Sequence, residues 1–361
     1  MASIRRDLSA LALLLAFGAC GGTNTATRDT AAPDSVQVAD TVTVEDAEAD
    51  TDGAEDTRIA ADTVSPVATV EQSRYEADLA FIAAPRAPGS DHWQAVQDLC
   101  AERFAANGYT VERHAYGSGV NVVGTLTGTS APAELVILSA HYDHITGCAG
   151  ADDNGSGVAG LLEAARVLAT TPHPRTLVVA CWDEEERGLV GSGAYAARAV
   201  ADGQNVALMY DFEMIGFRAT APNTQTLPTG FELLFPDAAA AVAANDRRGD
   251  FIAVIGDASA ASAAAMTALS AAADEISLPV VGLQLPEGLE TSPAVADLRR
   301  SDHAEFWDRG IPALMITDTS EFRYSGYHCH DGPDTPDRLD PAFATQVVTA
   351  TVSSVRALLS P

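Results

Sequence analysis

The chain has 361 residues, of which 47% are hydrophobic, and it carries a formal net charge of −29 at pH 7. This length is sufficient for one large domain, or two of average size, with a substantial core. The acidic balance excludes nucleic acid as a partner, because contact with phosphates requires a basic surface.

Residues 1–20 have the pattern of a bacterial lipoprotein signal peptide. Arg5 and Arg6 precede a short apolar run, which ends in the small residues before Cys20. The run is too short to span a bilayer as a mature helix. The pattern predicts that Cys20 becomes the lipidated N-terminus of an extracytoplasmic, membrane-anchored protein. The outer membrane or the cell surface is favoured over the inner membrane, since no aspartate follows Cys20 directly. The alternative is an ordinary secretory signal.

Residues 21–70 differ in composition from the rest of the chain. They contain eleven acids, two arginines and no aromatic residue. A segment of this kind cannot bury enough apolar surface to fold, and its charges repel one another. We therefore expect a disordered acidic linker.

Residues 71–361 have the pattern of a single α/β domain. Predicted strands are Asn121–Leu126, Glu134–Ala140, Thr176–Trp182, Val206–Met214, Phe251–Gly256 and Pro312–Thr317. Predicted helices between them include Val158–Thr170 and Ala258–Ala273. Apolar strands that alternate with helices indicate a mainly parallel, mixed sheet covered by helices on both faces. The weakly periodic segment Leu227–Arg248 is expected to be an excursion near the functional site.

The glycine-rich stretch after the second predicted strand matches two different kinds of site. Gly155-x-Gly157-x-x-Gly160 has the spacing of a dinucleotide-binding turn. In that turn, however, the first glycine follows the strand almost at once, and here a long acidic segment intervenes. Asp152 and Asp153 would also repel a phosphate. The glycines are therefore expected to let a helix begin close to the sheet.

Acidic residues and a histidine lie at or just beyond the ends of several predicted strands. They are His141, Asp152, the run Glu184–Glu186, and Glu213. The carboxyl ends of parallel strands share one edge of a sheet, where ligands bind. Converging carboxylates repel one another unless a cation is present, and nitrogen and oxygen ligands suit zinc.

Six segments occur in the order found in metallopeptidase family 28. They are HYDH, GADDNGSG, WDEEERGLVGS, FEMIG, SDHAEFWDRGIPALMITDT and YHCHDGPDTPDRLD. From about Arg74 to the C-terminus the chain resembles this family, which contains the co-catalytic zinc aminopeptidases. The resemblance implies their α/β fold and two bound zinc ions.

The resemblance also implies the metal ligands. Asp152 would bridge the two zinc ions, with His141 and Glu213 completing one site and Glu186 and His328 the other. Asp143, two residues after His141, would orient that imidazole. Two rivals stay open, because the family more often has aspartate where Glu213 stands and reaches its Asp-Thr-Pro sooner after the last histidine. They are Asp211 in place of Glu213 and His330 in place of His328.

The glutamate run implies the catalytic base. In the family signature Glu-Glu-x-Gly-Leu the first glutamate is the general base and the second a metal ligand. Gly188-Leu189 makes Glu185 the base, Glu186 the ligand and Glu184 an additional acid. The implied reaction is hydrolysis of a peptide bond by a metal-activated water.

The remaining polar candidates have simpler interpretations. Ser301-Asp302-His303 is contiguous and cannot form a serine relay, so it is expected to line the pocket or to support ligands. Cys100 and Cys181 are expected to be a helix-face residue and a buried small hydrophobe. The other histidines, expected on the surface or in loops, are His92, His114, His144 and His173.

The implied ligand set further predicts a disulfide between Cys148 and Cys329. Cys148 lies between two implied ligands, and Cys329 directly follows a third. If those ligands meet at one centre, both sulfurs belong to neighbouring loops, and an extracytoplasmic location supplies oxidising conditions. The alternatives are two free thiols or a sulfur ligand to zinc.

These observations together predict a lipid-anchored zinc exopeptidase, with an aminopeptidase favoured, acting on peptides or proteins. A glutaminyl cyclase-like acyltransferase, with the same ligand set around one metal, is the second enzymatic hypothesis. The third is a non-catalytic binding module on the same fold.

Overall fold

The computed structural model describes residues 68–360. The predicted signal peptide, and all of the predicted linker except residues 68–70, lie outside the described residues. The helices are α1 (Gln72–Ile82), α2 (Asp91–Ala106), α3 (Gly157–Leu168), α4 (Val190–Ala201), α5 (Phe231–Leu234), α6 (Pro236–Ala244), α7 (Ala260–Glu275), α8 (His303–Trp307) and α9 (Pro341–Leu359). The strands are β1 (Thr110–Ala115), β2 (Val120–Leu126), β3 (Ala131–His141), β4 (Arg175–Trp182), β5 (Asn205–Glu213), β6 (Ile252–Gly256), β7 (Val280–Gln284) and β8 (Ala313–Thr317).

The strands within residues 68–360 form one mixed sheet in the order β1-β2-β4-β3-β5-β8-β6-β7. At its centre β4, β3, β5 and β8 run parallel. The pairs β1–β2, β2–β4 and β6–β8 are antiparallel, and β6–β7 is parallel. The predicted mainly parallel, mixed sheet is therefore confirmed.

All six predicted strands are present, and two further strands were missed. β1 and β7 lie at the two edges of the sheet. β1 is a half-exposed strand with the sequence TVERHA, and β7 has five residues, mostly half-buried or exposed. Edge strands lack the continuous apolar run that identifies a buried strand, so their pattern in sequence is weak.

Helices cover both faces of the sheet. One apolar core contains side chains of α1, α2, α3, α7 and α9, and a second core on the other face contains those of α4, α5 and α8. By length and composition α9 could cross a membrane, but 56% of its apolar window is buried, as in a core helix.

Gly157 and Gly160 allow α3 to begin against the end of β5. A Cβ at Gly157 would collide with Asn154, and one at Gly160 would lie 2.8 Å from Ile215 Cδ1. The expectation that these glycines bring a helix close to the sheet is confirmed. This close approach places the preceding turn, residues 151–156, at the carboxyl edge of the central strands.

Candidate metal and catalytic site

Parallel strands bring the first candidate residues to one edge of the sheet. His141 is the last residue of β3 and Glu213 the last of β5, and β3 pairs in parallel with both β4 and β5. Residues 183–189 follow β4 and carry Glu185 and Glu186 to the same edge. His328 reaches this edge from the long segment between β8 and α9.

The carboxylate at the centre of the site belongs to Asp153. Its Oδ1 lies 3.4 Å from His141 Nε2, and its Oδ2 lies 3.2 Å from His328 Nε2. Each oxygen therefore faces a different histidine. A carboxylate in this position can be shared by two cations.

The predicted bridging role of Asp152 is wrong, because its side chain is turned away from these histidines. Asp152 Oδ1 accepts a hydrogen bond from Gly216 N at 2.9 Å. Asp153 has an extended backbone within the turn, with φ −97° and ψ 100°. The irregular backbone of this turn directs the two neighbouring side chains differently, and that of Asp153 faces the histidines.

Two groups of ligand atoms share Asp153. The first adds His141 Nε2 and Glu213 Oε2, which lie 3.3 Å apart. The second adds His328 Nε2 and Glu186 Oε2, which lie 3.1 Å apart. Ligands at about 2.0–2.1 Å from a tetrahedral zinc ion lie about 3.3–3.4 Å from one another. The spacing within both groups therefore fits the coordination of zinc.

Hydrogen bonding gives a second test of whether these residues can hold a metal ion. Among residues 68–360, no hydrogen-bond partner is found for His141 Nε2 or Asp153 Oδ1, although both atoms are buried. Buried polar atoms without partners are costly, and a coordinated cation removes that cost. The donor set thus fits a divalent metal by its chemistry as well as by its spacing.

Burial and mutual repulsion change how these groups titrate. Burial raises the pKa of Glu185 well above its usual range and that of Glu213 to about 7. Burial alone would lower the pKa of His141, but the charges of Glu185 and Glu213 raise it well above its ordinary value. Without a cation the site therefore retains protons, which metal binding would displace.

The residues after β4 are held by Asp143. Its Oδ1 accepts the Glu185 N–H at 3.0 Å, its Oδ2 accepts the Glu186 N–H at 3.3 Å, and Oδ1 lies 3.6 Å from His141 Nδ1. This position is compatible with the predicted orienting role. Glu185 Oε2 lies 3.9 Å from His141 Nε2. Glu184 instead pairs with Ser118 and Arg187, away from the ligand atoms.

The two rival ligands lie outside both groups. Asp211 is buried and accepts hydrogen bonds from Ser139 Oγ, Ser301 Oγ and His303 N. His330 is exposed. Ser301 Oγ also lies 2.7 Å from Glu213 Oε2, so the Ser301-Asp302-His303 segment supports a ligand, as expected.

His144 lies in the loop after β3, one of the two expected positions, but its place beside Asp153 and Glu186 at the site was missed. It is fully buried, and its Nδ1 lies 2.7 Å from Glu186 Oε1. Gly150, with φ +59°, makes room for it, since a Cβ there would collide with the His144 ring. The available signal was the HYDH segment, in which His144 lies three residues after His141.

Asp334 was also missed as a contributor to the site. Its carboxylate accepts the N–H groups of Asp152 and Asp153 at 2.9–3.1 Å. It thereby holds the main chain of the turn that carries the central carboxylate. Its place in the Asp-Thr-Pro segment was visible in the sequence, but this contact was not.

The disulfide between Cys148 and Cys329 is confirmed, with a Cα–Cα distance of 5.8 Å. It joins the loop after β3 to the segment that carries His328. Cys100 and Cys181 are both buried and free, as expected.

An apolar pocket of about 70 Å³ opens beside the ligand groups. Glu213 lies in its wall, together with Leu227, Phe231, Phe251, Leu283 and Met315. The excursion predicted for Leu227–Arg248 therefore does border the site. An apolar cavity next to candidate metal ligands is suited to hold an apolar side chain of a substrate.

Comparison with known proteins identifies relatives of this chain. The chain is 35% identical to the uncharacterized protein YfbL of Escherichia coli over 237 residues, which is 62% of this chain and 67% of YfbL. It is 41% identical over 98 residues to the probable lipoprotein aminopeptidase LpqL of Mycobacterium tuberculosis, covering 26% of this chain but only 19% of LpqL.

The fold is shared with the LapA aminopeptidase of Legionella pneumophila, with a TM-score of 0.60 and 21% identity over 81% of this chain and 73% of LapA. The sequence profile described as Peptidase family M28 matches residues 121–355, well over half of the chain. The match spans five of the proposed ligand residues as well as Glu185. The chain belongs to peptidase family M28.

Proposed function

We propose that this protein is a zinc-dependent aminopeptidase. The observation that carries the proposal is the Asp153 carboxylate, whose two oxygens face separate groups of ligand atoms beside Glu185 and an apolar pocket. The family assignment and the similarity to the LpqL and LapA aminopeptidases support it.

Each side chain has a definite role in the proposed site. Asp153 would be shared by two metal ions, His141 and Glu213 would help to hold one ion, and Glu186 and His328 would help to hold the other. Zinc bound there would supply Lewis acidity toward the peptide carbonyl and lower the pKa of a bound water. The number of ions, two, is part of this proposal.

Glu185 is the proposed general base. It is held next to the ligand groups by the hydrogen bond from its own N–H to Asp143, and its side chain is only 12% exposed. Glu185 accepts a proton from the attacking water and passes it to the leaving amine. The raised pKa of the buried carboxyl suits this second step, because it favours a carboxyl that can hold the proton in transit.

The apolar pocket selects the first side chain of the substrate. Phe231, Phe251 and Leu283 in its wall would bury an apolar side chain, and the charged residues Asp297, Arg300 and Glu321 line other parts of the pocket. Peptides with an apolar N-terminal residue are therefore the proposed substrates.

We further propose an extracytoplasmic, lipid-anchored location, through Cys20. The signal-like pattern of residues 1–20 and the Cys148–Cys329 disulfide support it, because disulfides persist in oxidising compartments. LpqL carries the word lipoprotein in its name.

The test is a panel of fluorogenic aminoacyl substrates, with and without a chelator. Hydrolysis should be fastest for apolar residues, vanish with the chelator and return with zinc. Native mass spectrometry should find about two zinc equivalents. Full activity in the chelated protein would contradict the proposal.

The same assay separates the alternatives. A glutaminyl cyclase-like enzyme would release ammonia from a peptide with N-terminal glutamine and would need one metal. A binding module would turn over neither substrate. The second, complete group around Glu186 and His328 favours the two-metal peptidase.

A further inference from the structure

Arg86 is a fully buried arginine in the segment between α1 and α2. It precedes the residues that the family profile matches, which begin at 121. Burial of an arginine is rare, because removing its charge from water is costly unless its donors are satisfied. Its contacts therefore indicate what it does.

The guanidinium of Arg86 binds main-chain carbonyls of the loop between β3 and α3. Nε donates to Tyr142 O at 2.9 Å, Nη1 to Ala149 O at 2.7 Å, and Nη2 to Asp153 O at 3.0 Å. These carbonyls lie at the start, middle and end of the loop that joins His141 to the central carboxylate. One rigid, planar group thus fixes three points of that loop.

The contact to residue 153 has a direct consequence for the site. The Asp153 carbonyl is held by Arg86, and the Asp153 N–H is held by Asp334. The main chain of this one residue is therefore tied on both sides. This fixes the backbone position from which the Asp153 side chain reaches His141 and His328.

The positive charge of Arg86 also favours the arrangement of acidic side chains at the site. Within residues 68–360 it has no ion pair with a carboxylate, and the acids whose charges act on it most strongly are Asp153, Asp334 and Asp143. A permanent positive charge behind these acids offsets part of their repulsion before any metal binds.

We propose that Arg86 is a positioning residue that pre-forms the metal-binding loop and holds the Asp153 carboxylate between the two ligand groups. The proposal rests on the proposed metal site. Residues that hold metal ligands in place typically change metal affinity 10- to 100-fold on mutation.

The experiment compares R86K and R86Q with the full-length wild-type protein. Zinc affinity of the metal-free proteins is measured by competition with a chromophoric chelator, and the visible spectrum is recorded after loading with Co²⁺. We expect R86Q to bind zinc at least ~10-fold more weakly, with an altered Co²⁺ spectrum. The zinc affinity of R86K should lie between those of the wild type and R86Q, because an ammonium keeps the charge but cannot reach three separated carbonyls.

Arg323 provides the matched control. It is also buried and donates to a main-chain carbonyl, Phe251 O, and to Gln225, but to no residue of the 141–153 loop. R323K and R323Q should lower the melting temperature and leave zinc affinity within twofold of the wild type.

The outcomes are distinguishable. Zinc affinities of R86K and R86Q within twofold of wild type would overturn the proposal, as would an equal loss in the Arg323 variants. If R86Q does not fold, the zinc affinity of R86K alone tests the proposal, and a value within twofold of wild type overturns it. A wild-type protein that binds no zinc would instead overturn the proposed function.

Discussion

Asp152 and Asp153 are adjacent residues with the same side chain, but their surroundings differ. Asp153 faces His141 and His328, whereas Asp152 accepts the Gly216 N–H and lies near Asp318. The role of each carboxylate is thus set by its direction, and a pair of amide substitutions can separate the two roles.

Asp153→Asn should abolish most metal binding, because an amide supplies one neutral oxygen where two anionic oxygens face the histidines. Activity should fall at least ~10²-fold, the usual scale for loss of a catalytic group. Asp152→Asn keeps an oxygen for Gly216 N and should retain zinc. Metal content by mass spectrometry checks this, and zinc loss confined to Asp152→Asn would contradict the assignment.

Glu185 and Glu186 form a second neighbouring pair with distinct expected roles. Glu185→Gln removes the proton acceptor and keeps the shape, so turnover should drop at least ~10²-fold with zinc content almost unchanged. Glu186→Gln should lose metal, because Glu186 lies 3.1 Å from His328. Steady-state kinetics and metal analysis of both variants decide the matter. If Glu185→Gln lost metal and Glu186→Gln lost turnover with zinc retained, the general base would be Glu186.

At the scale of elements, the site is assembled from loops that separate strands have brought to one edge. β3, β4 and β5 provide three of these loops, and the segment between β8 and α9 provides the fourth. The Cys148–Cys329 disulfide and the contacts of Asp334 link the fourth loop to the first. The covalent link therefore ties His328 to the loop that carries Asp153.

Replacing both Cys148 and Cys329 with alanine should destabilise the protein and weaken zinc binding. Loss of a disulfide that closes so long a loop lowers the free energy of unfolding by about 2–5 kcal/mol. The segment that carries His328 also loses its covalent link to the loop after β3. Calorimetry and chelator competition measure the two effects. Reductant should lower the melting temperature of the wild type and leave that of the double variant unchanged. Alkylation of both cysteines in the unreduced wild-type protein would contradict this prediction.

At the scale of the whole molecule, folding gathers acids whose protons are held more tightly than in the unfolded chain. Burial raises the pKa of Glu213 to about 7 and the pKa values of Asp183 and Asp318 to about 6. In the unfolded chain such carboxyls titrate at about 4. Between about pH 4 and 7 the metal-free folded state therefore binds more protons than the unfolded state.

The melting temperature of the metal-free protein should accordingly fall as the pH rises from 5 to 8. His328 adds to the same trend, since burial lowers its pKa but Asp153 and Glu186 raise it to about 10. Its stabilising charge is present at pH 5 and is lost as the pH rises toward 10. Zinc displaces these protons, so the loaded protein should lose less stability. Scanning fluorimetry in chelator tests this, and a rising melting temperature would refute it.

The six buried strands and the gathering of acids and a histidine at one edge could be predicted from local sequence patterns, and the disulfide from the ligand set that the family resemblance implies. Strand periodicity and motif order are local properties, and the parallel topology then places the strand ends together. His141, Glu186 and Glu213 were candidates because of their places at or just beyond strand ends, and His328 was a candidate only through the resemblance to metallopeptidase family 28.

Which of the two adjacent aspartates faces the site could not be predicted from the sequence, because the answer depends on the backbone of one irregular turn in the folded chain. The tertiary structure also decided the positions of His144 and Arg86, whose partners lie 42 and up to 67 residues away along the chain. Side-chain direction and long-range contacts arise from packing, which a local sequence pattern does not encode. The two edge strands were decided in the same way, by pairing with a neighbour and not by an apolar run of their own.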